Sequence, residues 1–312
     1  MRLLIKPTTF EILDIQIGQN QYIKSTLGAT SGKSQGATSG KSQGATSGKS
    51  QGATSGEDSS DTEPGKMIGK ALKQHSDLLK NVSDGVAYDI GKPAILPDIV
   101  FVANGGFRLW GIPLVILPQM KFQQRKDELP FLKSIYNDLG ITTVEFPSSE
   151  PFEGQAEAKW FHNGKLLVCG YGHRSTKKSF KVLGDMLKTI YEANGVAAPR
   201  LLVLPLESAD YYHLDVAMLE FGDACIVHKR AFSPASIRKL KAALGSSNVH
   251  IIDTKDSFCL NAVVQGGELL THIVSDSVKK QLEDITGLKV VQNDTSVFEK
   301  SGGSVRCMIL DL

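Results

Sequence analysis

Apolar residues along the chain fall into short runs of two kinds. Runs rich in β-branched and large aliphatic residues recur at Leu3–Ile5, Ile99–Val102, Leu114–Leu117, Thr142–Phe146, Leu166–Cys169, Leu201–Leu204 and Val216–Leu219. They continue at Cys225–Val227, Val249–Ile252, Ala262–Val264, Thr271–Val274, Val290–Gln292 and Val305–Leu310. Their length and composition predict strands. Between them, apolar residues three and four apart mark helices. One carries Met67, Ile68, Leu72, Leu78 and Leu79; a second carries Phe131, Leu132, Ile135 and Leu139; a third carries Val182, Leu183, Met186, Leu187 and Ile190. Ser233-Pro234 opens a fourth, with serine at the cap and proline at the first helical position, and Ser275 caps a fifth. About thirteen strands and five or six helices, mostly in β–β–α order, predict an α/β fold of short, repeated sheets. The strict one-strand, one-helix alternation of a doubly wound fold is not the pattern.

One tract breaks the rhythm. Residues Gly28–Gly56 are three copies of GATSGKSQ followed by GATSG, and Glu57–Pro64 are mostly acidic or small. With no apolar side chain larger than alanine, the repeats cannot recover the entropy of ordering their backbone. Residues 28–64 are therefore expected to be a disordered insertion in a single domain spanning 1–312. Its GATSGKS resembles a phosphate-binding loop, but that motif needs four residues between its first glycine and Gly-Lys-Ser. Gly36 and Gly40 are separated by three, no strand precedes and no apolar helix follows, so the NTPase reading fails.

Composition narrows the classes. The 312 residues carry 35 Lys+Arg against 33 Asp+Glu, a formal charge of +2, which gives no basic face for nucleic acid. No apolar run approaches the roughly 20 residues of a membrane span. Leu3-Leu4-Ile5 followed by Lys6-Pro7 is too short for a signal peptide. Cys169, Cys225, Cys259 and Cys307 form no CxxC pair and no disulfide framework, which predicts a reduced, cytoplasmic protein.

Four polar clusters interrupt strand ends where packing does not need them: Asn104-Gly105-Gly106, Phe152-Glu153-Gly154, His213-Leu214-Asp215 and Gly302 to Cys307. Cys307 follows a glycine pair and an arginine on the predicted last strand. Positive charge nearby favours a reactive thiolate, and a buried small residue is the plain alternative. His213 and Asp215, two apart in a predicted strand, would share a face and could shuttle a proton. The six other histidines have no such companion in the sequence. Glu153 could orient a cation. Asn104 reads as a turn residue tolerant of positive φ. Arg125 and Arg174 could clamp a carboxylate in bidentate fashion.

Taken in order, these stretches resemble the guanidine-modifying (pentein) superfamily of arginine deiminases, dimethylargininases and amidinotransferases. The similar segments are LPDIVFVANGGF (96–107), QQRKDE (123–128), PFEGQAEAKWF (151–161), GYGHRST (170–176), YYHLD (211–215), FSP (232–234), CLNAVV (259–264) and SGGSVRC (301–307), with LLIKPTTFE (3–11) at the start. The resemblance implies a five-bladed α/β propeller of pseudo-symmetric ββαβ units around a central site. It implies Cys307 as nucleophile, His213 as general acid/base, and Glu153 and Asp215 as hydrogen-bonding partners of a guanidinium. Asn104, Arg125, Arg174 and Glu157 join the substrate-binding set.

The implied chemistry is thiolate attack on the guanidinium carbon, protonation of the departing nitrogen by His213, a covalent thiouronium, and hydrolysis to a ureido product. It needs no metal and no organic cofactor. The implied partner is a small guanidino compound, with no nucleic acid and no membrane, and a homo-oligomer stays open. Many deiminases and dimethylargininases have aspartate where this chain has Asn104. A similar Val/Thr-Ala-Asn element occurs in arginine-dihydrolase and succinylarginine-dihydrolase branches, which shifts the expectation toward an arginine dihydrolase. Glu157 stands where relatives tend to have aspartate, and Cys259, one position early, is read as structural. A catalytically inactive binding protein and an amidinotransferase are the alternatives.

Overall fold

The computed structural model describes residues 1–10, 63–91 and 96–312, with the side chains of 63–65 excepted. The octapeptide repeats lie outside the described residues. Among those described, fifteen strands form five sheets of three. In each sheet the middle strand pairs antiparallel with one neighbour and parallel with the other.

The first sheet joins Phe107–Arg108, Val115–Ile116 and Thr143–Val144; the second joins Ala158–Phe161, Leu166–Tyr171 and Arg200–Pro205. Met218–Phe221, Ala224–His228 and Val249–Ile252 form the third, and Val263–Gln265, Glu268–His272 and Lys289–Asn293 the fourth. The fifth is closed by the two ends of the chain: Leu310–Asp311 pairs antiparallel with Arg2–Ile5, which pairs parallel with Gly85–Tyr88. A parallel pair needs a crossover, and a helix supplies it in every unit. These helices are Leu129–Asp138, Lys177–Ala193, Pro234–Leu244, Asp276–Thr286 and Glu63–Asn81. The ββαβ order expected from the sequence is thus present five times.

Local chemistry sets the helix starts. The side chains of Ser233 and Ser275 accept hydrogen bonds from the amides of Ser236 and Val278, and Thr176 does the same for Ser179. Each satisfies one of the orphan donors of a first turn, a contribution of about 1 kcal/mol. The apolar faces of these helices and sheets form five clusters, each drawing side chains from two neighbouring units. No unit completes a core alone.

Several expectations are corrected. Ile99–Val102 is not a strand: residues 97–100 form a turn and Val102–Gly105 a 3₁₀ helix. Val216 and Ala217 end the short helix Leu214–Ala217, and the strand starts at Met218. Residues 305–308 form a turn and the last strand is Leu310–Asp311, so Cys307 sits in a turn. In all three places the apolar side chains are buried by neighbouring units and not by a ladder of their own. The strand expected at Thr271–Val274 runs Glu268–His272 instead. Glu63 and Pro64, placed in the insertion by composition, belong to the helix Glu63–Asn81. Gly85–Tyr88, Phe107–Arg108 and Ala158–Phe161 are strands too short or too mixed to show in the pattern.

His272, one of the histidines with no companion beside it in the sequence, finds partners from distant segments. Its Nε2 lies 3.0 Å from both carboxylate oxygens of Asp256, and its Nδ1 lies 3.2 Å from Glu299 Oε1. The same Glu299 oxygen accepts from Thr295 Oγ1 at 2.7 Å, and Thr295 Oγ1 meets Ser304 Oγ at 2.8 Å. This chain of contacts props the segment that leads to Cys307. Burial lowers the pKa of His272, but the two carboxylates outweigh it and raise it from 6.5 to about 9.

A histidine whose folded pKa is raised contributes stability that is fully present below its unfolded pKa and is lost as pH rises through the folded one. The unfolding free energy of the wild type should therefore fall, relative to His272→Gln, by ~2–3 kcal/mol between about pH 6 and pH 10. Denaturant titrations of both proteins across that range check it; parallel profiles would show that the pairing contributes nothing.

Candidate active site

In each unit a short polar segment precedes the first strand. Asn104 lies in the 3₁₀ helix before Phe107; Glu153 immediately precedes the 3₁₀ helix before Ala158, and Glu157 is that helix's last residue. His213 is the residue before the short helix Leu214–Ala217, which also carries Asp215. Asn261 follows the turn of residues 257–260, and Cys307 lies in the turn before Leu310. His213 and Asp215 are thus not two residues of one strand face, although both are buried and come near the same thiol.

Hydrogen bonds link these segments in sequence. Asn104 Nδ2 donates to Glu153 O (3.4 Å), Leu214 N to Glu157 Oε2 (3.2 Å), and Asn261 Nδ2 to Asp215 O (3.3 Å). Cys307 N donates to Asn261 Oδ1 (3.2 Å), and Ala103 N to Cys307 O (3.0 Å), returning to the first unit. Gly154 allows the close approach of the first two. Its φ is +62°, and a Cβ there would lie 2.7 Å from Gly106 O and 2.8 Å from Asn104 O.

The convergence makes a small buried cavity of about 20 Å³, room for about one water. Cys307 and His213 line it with Asn104, Arg125, Arg174 and Asp98. Glu153, Glu157 and Asp215 stand behind this wall, each fully buried.

Glu153 Oε2 is 2.7 Å from His213 Nε2 and 3.2 Å from Arg174 Nη1, and its Oε1 accepts from Lys121 N at 3.0 Å. Burial opposes ionisation of Glu153, yet Arg174 and His213 hold its pKa well below the carboxylate range. The carboxyl of Glu157 accepts from Ser175 N and Leu214 N, but burial beside Glu153 raises its pKa far above normal. Burial raises Asp215 as well, against His213, Lys159 and Arg306.

Asp215 Oδ2 lies 3.6 Å from Cys307 Sγ, and Oδ1 has no hydrogen-bond partner in the protein. Asn261 Nδ2 donates to Cys307 Sγ at 3.1 Å. Burial and the nearby Asp215 push the Cys307 thiol up, which favours the neutral thiol. His213 is pulled down by burial, against the pull of Glu153, and is a neutral imidazole at pH 7.

The arginines are buried components of the site. Arg174 is stacked between the rings of Phe122 and Tyr212 at 4.9 and 4.8 Å. Arg125 pairs with Glu128 at 2.8 Å and donates to Asn104 Oδ1 and Phe101 O. Asn104 has no positive φ; it sits 3.3 Å from His213 Nε2. Cys259 is buried 3.5 Å from His228 Nε2, away from this cavity. Sequence reasoning gave no role to Asp98 or Asn261, although both lie inside similar segments. Asp98 was recognisable as a carboxylate between Pro97 and an apolar run; asparagine at a turn carries no such signal.

The family profile described as N,N dimethylarginine dimethylhydrolase, eukaryotic, matches residues 54–312. The chain is 29% identical over 245 residues to the bifunctional arginine dihydrolase/ornithine cyclodeaminase ArgZ of Synechocystis sp., covering 77% of this chain and 33% of ArgZ. It thus spans about a third of that relative's length. It is 29% identical over 222 residues to N(G),N(G)-dimethylarginine dimethylaminohydrolase of Mycobacterium tuberculosis, covering 70% of this chain and 67% of that protein. Among solved structures, the N-terminal domain of ArgZ bound to product superposes with a TM-score of 0.74 at 22% identity, covering 99% of this chain and 96% of that one. A dimethylarginine dimethylaminohydrolase adduct gives 0.62 at 17% identity, covering 78% and 89%. These structural likenesses establish the fold.

Glu153 is the main influence that raises the pKa of His213 against burial. In Glu153→Gln the imidazole pKa should fall further below its ordinary 6.5, with His213 staying neutral to lower pH. An NMR titration of the His213 ring checks this; an unchanged pKa would show that the 2.7 Å contact carries no charge coupling.

Proposed function

The chain belongs to the N,N dimethylarginine dimethylhydrolase family, eukaryotic, and from that premise we propose a cysteine-dependent hydrolase of arginine or a substituted arginine. The observation that carries the reading is that a thiol and an imidazole line one buried cavity, the imidazole held by Glu153 at 2.7 Å. Cys307 is the nucleophile, His213 the general acid/base, and Glu153 the group that orients it.

The charge states support a cationic substrate. A guanidinium entering beside Asp98 and Asp215 places positive charge next to Cys307. That lowers the cost of the thiolate, which burial and Asp215 oppose. Asp215 Oδ1, buried without a hydrogen-bond partner, is an acceptor for a guanidinium N–H. Cys307 gives its proton to His213 as its sulfur adds to the central carbon, His213 passes that proton to the departing nitrogen, and a thiouronium remains on sulfur. Water, deprotonated by the same imidazole, then expels the thiolate. One cycle leaves a ureido product. A second thiolate attack on that product expels the other terminal nitrogen as ammonia and leaves a thiocarbamate on sulfur; a second water frees the thiolate, and the resulting carbamate loses carbon dioxide to leave ornithine.

Asn104 favours the second course. It touches both His213 and Arg125, at 3.3 Å each, and is uncharged, so it can hold a neutral ureido group as well as a guanidinium. Relatives of similar sequence are named arginine dihydrolases. Arg125 and Arg174 are engaged with internal acceptors, and in this reading they shape the cavity and keep Glu153 ionised. Glu157, its pKa raised by burial beside Glu153, braces Ser175 and Leu214 behind the wall. Because the cavity holds about one water, its walls move apart to admit substrate.

The five units are read as blades of a propeller around this site, a single enzyme domain. The hydrogen bonds that run from each segment to the next and back to the first support that closure. All four cysteines are free, which suits a reducing, cytoplasmic compartment.

Incubation with arginine and with dimethylarginine, followed by assay of ammonia, citrulline and ornithine, tests the reading. Ornithine with loss of both terminal nitrogens is expected from arginine, and Cys307→Ser should abolish turnover while changing Tm by less than about 3 °C. Citrulline as the end product would assign a deiminase, and no turnover of either compound would leave a binding protein.

A further inference from the structure

Cys307 lies in a turn between two cavities. Its neighbour Arg306 lines a separate cavity of about 380 Å³, and Cys307 lines the catalytic one of about 20 Å³. With no strand of its own, the turn takes its position from side chains. Two groups hydrogen-bond the sulfur in the sense that favours its ionised form: the side chain of Asn261, with Nδ2 at 3.1 Å, and the backbone of Ser304. Burial and Asp215 act against them. How firmly these two donors are held therefore decides how readily a thiolate forms.

Both donors trace back to one imidazole. On one side, His272 Nε2 lies 3.0 Å from the carboxylate of Asp256, whose Oδ1 accepts from Phe258 N at 3.0 Å. Phe258 O in turn accepts from Asn261 N at 2.9 Å. On the other side, His272 Nδ1 lies 3.2 Å from Glu299 Oε1, which accepts from Thr295 Oγ1 at 2.7 Å. Thr295 Oγ1 meets Ser304 Oγ at 2.8 Å. Thr271, beside His272, ties the first arm again by donating its hydroxyl to Cys259 O at 3.4 Å. The ring is only 6% exposed, so the two carboxylates and not solvent take its protons.

We propose that His272 is a positioning residue for the reactive thiol: holding Asp256 with one nitrogen and Glu299 with the other, it fixes the Asn261 and Ser304 donors on Cys307 Sγ. The inference rests on the reading of Cys307 as nucleophile. Only an imidazolium carries a proton on both nitrogens, so only the charged ring donates to both carboxylates. Asp256 and Glu299 are the charged groups that act on it; Asn293, opposite it on the neighbouring strand, and the Phe258 ring are uncharged. His228, on which Asp256 also acts, is brought down to about 4 by burial and is neutral wherever His272 titrates. His272 loses its charge at about pH 9, and one arm of the brace is released there.

Alkylation of Cys307 by iodoacetamide, read by mass spectrometry of its peptide, tests this without turnover. The wild-type rate should rise about tenfold per pH unit as the thiolate fraction grows, then flatten as His272 titrates. His272→Gln, whose amide donates to one side only, should react about fivefold more slowly at about pH 8 and rise without a bend. Glu299→Gln removes one of the two carboxylates that raise His272, so the bend should move to lower pH together with the His272 ring signal in NMR. In arginine turnover, His272→Gln should lower kcat about fivefold with KM within about twofold, because no group lining the cavity is altered. A His272→Gln rate and profile equal to the wild type would overturn the proposal, as would a wild-type bend that stays in place in Glu299→Gln. If His272→Gln does not fold, the Glu299→Gln profile decides. Absence of turnover alongside the expected alkylation pattern would remove the hydrolase reading and leave the brace standing.

Discussion

Ionisable groups buried at the meeting point of five segments are the constraint on which this molecule turns. A buried charge is tolerated only when it is paired and hydrogen-bonded. Here that pairing is distributed so that each group depends on a neighbouring unit. Glu153 of the second unit needs His213 of the third, and Cys307 of the fifth is held at both N–H and Sγ by Asn261 of the fourth. The apolar clusters follow the same rule, because each lies between two units. Short sheets of three strands suffice once neighbours share both their polar and their apolar surfaces.

The resting charge pattern follows from burial and position together. Desolvation acts in the same sense on every carboxyl here, yet Glu153 ends far below and Glu157 far above the ordinary range. The difference is that the stacked guanidinium of Arg174 and the close imidazole of His213 reach Glu153, whereas Glu157 accepts from two backbone amides and lies 4.0 Å from His213 Nε2. One ionised carboxylate next to a neutral imidazole and a neutral thiol is a state that an incoming cation can unbalance.

Much of this was legible in the sequence because polar residues stood where packing had no use for them. Asn104, Glu153, His213 and Cys307 each interrupt an apolar run just before a strand, and four of the five convergent segments were recognisable that way. Asn261 was not, because asparagine is ordinary at turns. Local conformation was the weaker part. The apolar stretches 99–102 and 305–309 have strand composition, but their burial comes from neighbouring units, and turns satisfy their backbones instead. The partners of His272 lie 16 and 27 residues away on separate elements, a separation that no periodicity encodes.

The turn that carries Cys307 also divides the interior. Arg306 N donates to Asn261 O and Cys307 N to Asn261 Oδ1, so one asparagine fixes two consecutive residues that face different cavities. The wall between the cavities is consequently thin and charged. Arg306 and Lys159 both act to lower the pKa of Asp215, and Asp215 in turn raises that of Cys307. Asp215 thus lies between two cations on one side and the thiol 3.6 Å away on the other, so whatever favours its neutral form also relieves the repulsion that opposes a thiolate.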